Sequence, residues 1–232
     1  MNTIGAPRHW LMAMAFACIA KTSLAAPITG ADIVVANGLQ WAQVDLFGNL
    51  SWNEINAECP SGPCTAGSEL NGYTMTGWSW ASWEDVQPLF NSYLSAAGVV
   101  GDDLLGPGGS AVFGDAYQAQ NSSWAADFFN SGWRATITSV PNFQYTAGLT
   151  RQLILGTEVS VATMDWSPNG AFSDSASTTL LFTDNLDAAD VGRGGWFFRP
   201  VQDDVTGVSA PATLMLLLGG LAGLTWARRA RV

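Results

Sequence analysis

Apolar positions in this chain follow a helical period early and a period of two later, and the change predicts its elements. Residues 31–41, ADIVVANGLQW, are rich in β-branched side chains and then reach Asn37-Gly38. That is the pattern of an opening strand or hairpin edge. In LSWNEINAEC, Ser51 is followed three residues later by Glu54, the spacing of a capping box, so a helix starts there. Residues 72–82, GYTMTGWSWAS, alternate large and small side chains as a strand does. A second helix follows, with Ser82 as its cap and Asp85 three residues on. Val86, Leu89, Phe90 and Tyr93 then fall on one face at helical spacing. Pro88 removes one backbone bond from that helix and is expected to kink it. SWNEI and SWEDV read as two helix starts with the same capping chemistry rather than as an internal repeat.

Residues 98–114 are glycine-rich and predict an irregular connection. SSWAADFFNSGW holds a short helical turn. Strand patterns fill the rest: ATITSV (135–140), RQLILGTEVSVATM (151–164), STTLLFTD (177–184) and GGWFFRPV (194–201), with turns such as SPNG (167–170) between them. The expected class is α+β, two early helices and then an antiparallel sheet.

Both ends depart from these periods. Arg8, the apolar run LMAMAFACIA (11–20) and the small residues of SLAA (23–26) form a secretory signal peptide over 1–26, with cleavage after Ala25 or Ala26. At the other end an apolar run from Leu214 to Trp226 precedes Arg228, Arg229 and Arg231. At about 1.5 Å per residue this run covers about 20 Å, short of the roughly 30 Å hydrocarbon layer. The arginines hold that end of the transmembrane helix in the cytoplasm. The extracytoplasmic domain is then 27–207, long enough to bury a core.

Charge narrows the function. All 19 acidic residues of the chain fall in 27–207, against Arg134, Arg151, Arg193 and Arg199, leaving about −15 and neither lysine nor histidine. Such a body repels phosphate backbones, which argues against nucleic acid as a partner. Without histidine, Ser-His-Asp and Cys-His catalysis cannot be built in the usual way. The 11 tryptophans and 25 glycines of the chain argue against disorder.

The tail, read as VSAP (Val208, Ser209, Ala210, Pro211), an apolar helix and an arginine-rich end, resembles the PEP-CTERM sorting signal of Gram-negative bacteria. Ser209 and Ala210 stand where that family has Pro and Glu, and Pro211 matches. The resemblance implies an exosortase-like processing enzyme as partner and transient residence in the inner membrane before release to the cell surface or matrix. GLQW, SWNEI, the GW strand and GGWFFRPV weakly resemble C-type-lectin-like domains of bacterial surface proteins. That likeness implies that strands within 31–48 and 194–201 pair, with two helices flanking the sheet.

Candidate chemistry is sparse. Cys59 and Cys64 in CPSGPC suggest a disulfide in an exported chain; half a metal site is the other reading of the spacing. Glu84-Asp85, Asp102-Asp103 and Asp203-Asp204 read as solvated surface, although a glycan hydrolase using carboxylates alone would need two acids facing across a cleft. TDNLDAAD (183–190) gathers Asp184, Asn185, Asp187 and Asp190, oxygen ligands of the kind calcium takes, without the EF-hand spacing. It reads as a polar turn. Trp80 and Trp83 cannot both face inward easily, so one is a candidate glycan contact. Arg134 and Arg199 read as structural ion-pairing residues. The expectation is an exported, non-enzymatic binding or structural module without a cofactor or metal, with extracellular polysaccharide as the candidate ligand. An exported carbohydrate-binding protein or a carboxylate-only hydrolase is the alternative.

Overall fold

The computed structural model describes residues 25–106, 116–137, 143–154, 156, 158–170, 173–182 and 185–201. In chain order the elements are β1 (Ala26–Pro27), β2 (Ile33–Ala36), β3 (Leu39–Ala42), α1 (Trp52–Glu58), β4 (Glu69–Leu70), β5 (Tyr73–Thr74), β6 (Ser79–Trp80) and α2 (Trp83–Ala96). Then come β7 (Ala116–Ala119), α3 (Ser123–Asn130), β8 (Gln144–Ile154), β9 (Glu158–Trp166), β10 (Asp174–Phe182), β11 (Gly194–Gly195) and β12 (Phe197–Pro200). The protein is mixed helix and sheet, and most strand pairs are antiparallel.

Local chemistry sets the early elements. Asn37 and Gly38 both take positive φ, 53° and 72°, and close β2 onto β3, the tight turn that an Asn-Gly pair favours. Ser51 and Ser82 each accept the backbone N–H three residues on, from Glu54 and Asp85, and both capping boxes are complete. Helix α2 runs unbroken through Pro88. The ring is exposed, and the Pro88 carbonyl accepts the Asn37 side chain at 2.6 Å. The helical turn at SSWAADFFNSGW is a full third helix, α3, which buries Trp124, Phe128 and Phe129.

Three sheets form. β2-β3-β12-β6 is one, β11-β8-β9-β10-β7 another, and β1-β5-β4 a small third. β12 pairs with β3, so the first long hairpin and the end of the described chain meet, 159 residues separating Gln40 from Arg199. The run 151–164 is not one strand. Gly156, at φ 79°, lies between β8 and β9, which pair as a hairpin. Residues 72–82 likewise hold two short strands, β5 and β6. β7 pairs with β10 where no strand was expected. Of ATITSV, Ile137 bridges to Tyr145, and 138–140 lie outside the described residues.

The five-stranded sheet is buried on both faces. Ala162, Met164 and Ala176 pack into one cluster with α2 and α3. Ala147, Leu149, Val159 and Val161 pack into another with Phe47, Ile55, Trp80 and Phe197. Trp196 joins the sheets between β11 and β12: its ring N–H donates to the Ala162 carbonyl at 3.0 Å, and its own carbonyl accepts Ala81 N–H at 2.8 Å. Gly148 makes room for it, since a Cβ there would lie 2.5 Å from the indole.

Among the described residues, no helix is long and apolar enough to cross a membrane. Residues 1–24 of the expected signal peptide, the expected sorting motif Val208–Pro211, the apolar run and Arg228, Arg229 and Arg231 lie outside them.

Candidate functional site

The outer face of β2-β3-β12 carries a cross-strand row. Val35 faces Gln40, and Gln40 faces Arg199. Val35 is 63% exposed. The Arg199 Nε donates to Gln40 Oε1 at 2.6 Å, and the guanidinium carbon lies 4.3 Å from the centre of the Trp78 ring. Partial burial pushes this guanidinium down from its ordinary pKa. Cation–π contact in such a setting contributes about 0.5–1 kcal/mol. Among the described residues no carboxylate pairs with Arg199. Ion pairing, expected from the sequence, is replaced here by the stack on Trp78.

Trp78 is held in place by the disulfide loop. Cys59 and Cys64 are bonded, with an S–S distance of 2.07 Å. Cys64 N–H donates to the Trp78 carbonyl at 2.9 Å, and Trp80 N–H to the Gly62 carbonyl at 2.6 Å. The loop thereby covers the free edge of β6 and fixes the backbone that carries the indole under Arg199.

The other arginines are engaged differently. Arg134 lies 2.9 Å from Asp32 and 3.2 Å from Asp45, which agrees with the ion-pairing expectation. Burial nevertheless raises the Asp45 pKa, against the opposing pull of Arg134. Arg193 bridges Asp190 at 3.1 Å. Arg151 is exposed and lies along the disulfide loop at Gly62.

Trp80 is fully buried, and its ring N–H is bonded to the Leu149 carbonyl at 3.0 Å. It has no face left for a sugar. Trp83 is half-buried at the first turn of α2. The paired strands β6 and β12 pull Trp80 inward beside Phe197, a long-range pairing that spacing along 72–82 does not encode.

The acidic candidates are mostly engaged in local structure. Asp190 accepts Gly192 N–H and Arg193 Nε. Asp187 accepts the Asn53 side chain at 2.7 Å, and Asn185 accepts Asp187 N–H. Asp184 lies outside the described residues, as do Asp203 and Asp204. Among the described residues no group of three or more metal-binding side chains gathers. Glu84 is exposed beside Gln152, and Asp102-Asp103 sit in an exposed turn.

Sequence spacing missed a pair on the long sheet. Asp174 is fully buried and accepts Ser167 N–H at 2.6 Å and Ser122 N–H at 2.8 Å. Asp165, its neighbour, accepts Ser175 N–H, and burial raises its pKa. Burial and the Asp165 charge push the Tyr145 hydroxyl up to about 12. Perturbed acids can mark chemistry. Here the Asp174 oxygens are occupied by backbone donors that tie α3 and the turn after β9 to β10, which is structural work. No known protein family, curated protein or solved structure matches this chain.

Proposed function

We propose that this protein is an exported cell-surface or matrix module whose body binds carboxylate-bearing polysaccharide through the row Val35–Gln40–Arg199. One observation carries the binding reading: in a body of about −15, Arg199 is stacked on Trp78 and oriented by Gln40, with no described carboxylate neutralising it. A guanidinium held through Nε offers its two Nη groups as a fork, which matches a carboxylate in bidentate fashion. The three-strand row spans about 10 Å, room for more than one sugar ring, with exposed Val35 as an apolar end. The net negative charge opposes approach at long range, but physiological salt screens charges beyond about 8 Å. Binding therefore depends on the local fork rather than on the overall field.

The test is binding of the purified protein to a soluble polyuronate and to neutral dextran. Arg199→Gln should weaken polyuronate binding at least tenfold, and Arg151→Gln should leave it unchanged. Equal binding by wild type and Arg199→Gln, or equal affinity for dextran, would overturn the reading.

Export and sorting form the second half of the proposal. The protein leaves through its signal peptide, is held in the inner membrane by its short tail, and is released by an exosortase-like enzyme acting near Val208–Pro211. The bonded Cys59–Cys64 pair supports an oxidising destination. The full chain and a chain ending at Gly207 should fractionate differently, and the mature full chain should lack its arginine-rich end by mass. Identical fractionation with an intact tail refutes the sorting signal.

A further inference from the structure

The first backbone contact among the described residues lies at the point where a signal peptide would be removed. β1 runs parallel to β5, Ala26 beside Tyr73 and Pro27 beside Thr74. The Ala26 nitrogen donates to the Gly72 carbonyl at 2.8 Å. That carbonyl belongs to a tight turn between β4 and β5, with Asn71 and Gly72 at φ 48° and 80°. The turn is fixed from outside, because the Asn71 side chain donates to the carbonyls of Leu46 and Gly48, each at 3.0 Å. Ile28, next after Pro27, is 2% exposed and anchors the strand in the core. The acceptor is thus rigid whatever precedes Ala26.

Two bonds follow an alanine of the kind a cleavage site demands, and they differ at the outer selective position. The bond after Ala25 has Ser23 and Ala25 at the two selective positions. The bond after Ala26 has the bulky Leu24 at the outer one and Pro27 following. The fold separates them further. Cutting after Ala26 would discard the donor that reaches Gly72, and Pro27 as a new terminus would sit in β1 without a peptide N–H to replace it. Cutting after Ala25 keeps the donor and makes it stronger, since an ammonium donates a charge-assisted bond.

We infer that the processing site is the Ala25–Ala26 peptide bond, and that the α-ammonium it releases docks on the Gly72 carbonyl as the end of the small sheet. Water adds across the C–N bond, leaving a carboxylate on Ala25 and the ammonium on Ala26. This inference rests on the export reading and narrows it to one bond.

The test is the N-terminal peptide and intact mass of protein recovered from the extracytoplasmic fraction of cells expressing the full chain. The expected terminus is Ala26. A terminus at Pro27 or beyond overturns the inference and leaves export standing. Retention of Met1 overturns both. Ala25→Phe should abolish or displace the cut, and an Ala26 terminus at wild-type yield from that variant also counts against the assigned bond.

Discussion

Two enclosed regions of this protein are built from opposite materials. Around Trp196 the interior is aromatic: Trp41, Trp133, Phe90 and Trp196 approach with ring centres 5.4–6.4 Å apart and mostly tilted or edge-on. Along β9 and β10 it is hydroxylated. Ser160, Thr163, Ser177 and Thr178 are as closed to solvent as the tryptophans. An aromatic core gains from burial in proportion to its area. A hydroxyl gains only when it finds a partner. Thr146 donates to the Arg134 carbonyl and Thr150 to the Ser160 carbonyl, whereas the side-chain oxygens of Ser160, Ser177 and Thr178 have no partner among the described residues. The first region supplies stability, and the second holds it below what its packing would allow.

The largest expected effect tests the aromatic side. Trp196→Ala should destabilise by about 3–5 kcal/mol, because it opens a cavity where the two large sheets meet and strands the Ala162 carbonyl. Chemical denaturation with an unchanged m-value would measure it. A loss under 1 kcal/mol would mean that Gly148 and the neighbouring rings collapse into the gap, and the contrast between the regions would fail.

A smaller effect probes the polar side through pH. The folded state holds the Asp165 proton more tightly than the unfolded chain does, since burial raises its pKa above the ordinary 3.8. Stability should therefore fall as pH rises from that ordinary value through the raised folded value. Asp165→Asn removes the buried charge and keeps an oxygen for Ser175 N–H. The variant should show a flatter stability–pH curve over that window and a Tm at pH 7 no lower than wild type. A curve parallel to wild type would place the pH dependence on another acid, Asp45 being next in line, since its pKa is also raised.

The contrast also explains what could be read in advance. Capping at Ser51 and Ser82 depends on residues three apart and the Asn37-Gly38 turn on adjacent ones, so spacing reveals them. The helical face of α2 is equally local, and Val86, Leu89 and Phe90 are buried as the period requires. The hairpin within 151–164 is less visible. Strand pattern continues on both sides of Gly156, and one glycine in such a run reads as a bulge as readily as a turn. A sheet buried on both faces is harder still, because Ser160, Thr163, Ser177 and Thr178 suggest a solvated face when only their sequence is known. The Arg199 site was not legible, for a related reason. Trp78 and Arg199 are 121 positions apart in the chain, and only the pairing of β12 with β3 and β6 brings the guanidinium over the ring.

The smallest expected effect bears most directly on the polar region. Thr178 is fully buried, and its hydroxyl has no partner among the described residues, at the bulge where the register of β10 on β9 shifts between Ser177 and Leu180. Valine has nearly the same shape and the same preference for strands, so Thr178→Val changes one buried oxygen to a methyl and little else. An unsatisfied buried hydroxyl costs about 1–3 kcal/mol, and relieving it should stabilise the protein by about 1 kcal/mol, visible as a rise of a few degrees in Tm. The sign is the informative part. In the aromatic region any side-chain loss should destabilise, while here a loss of polarity should stabilise. A destabilised Thr178→Val would mean that the hydroxyl has a partner in solution, with ordered water the simplest, and that the hydroxylated sheet is a satisfied core like the tryptophan seam.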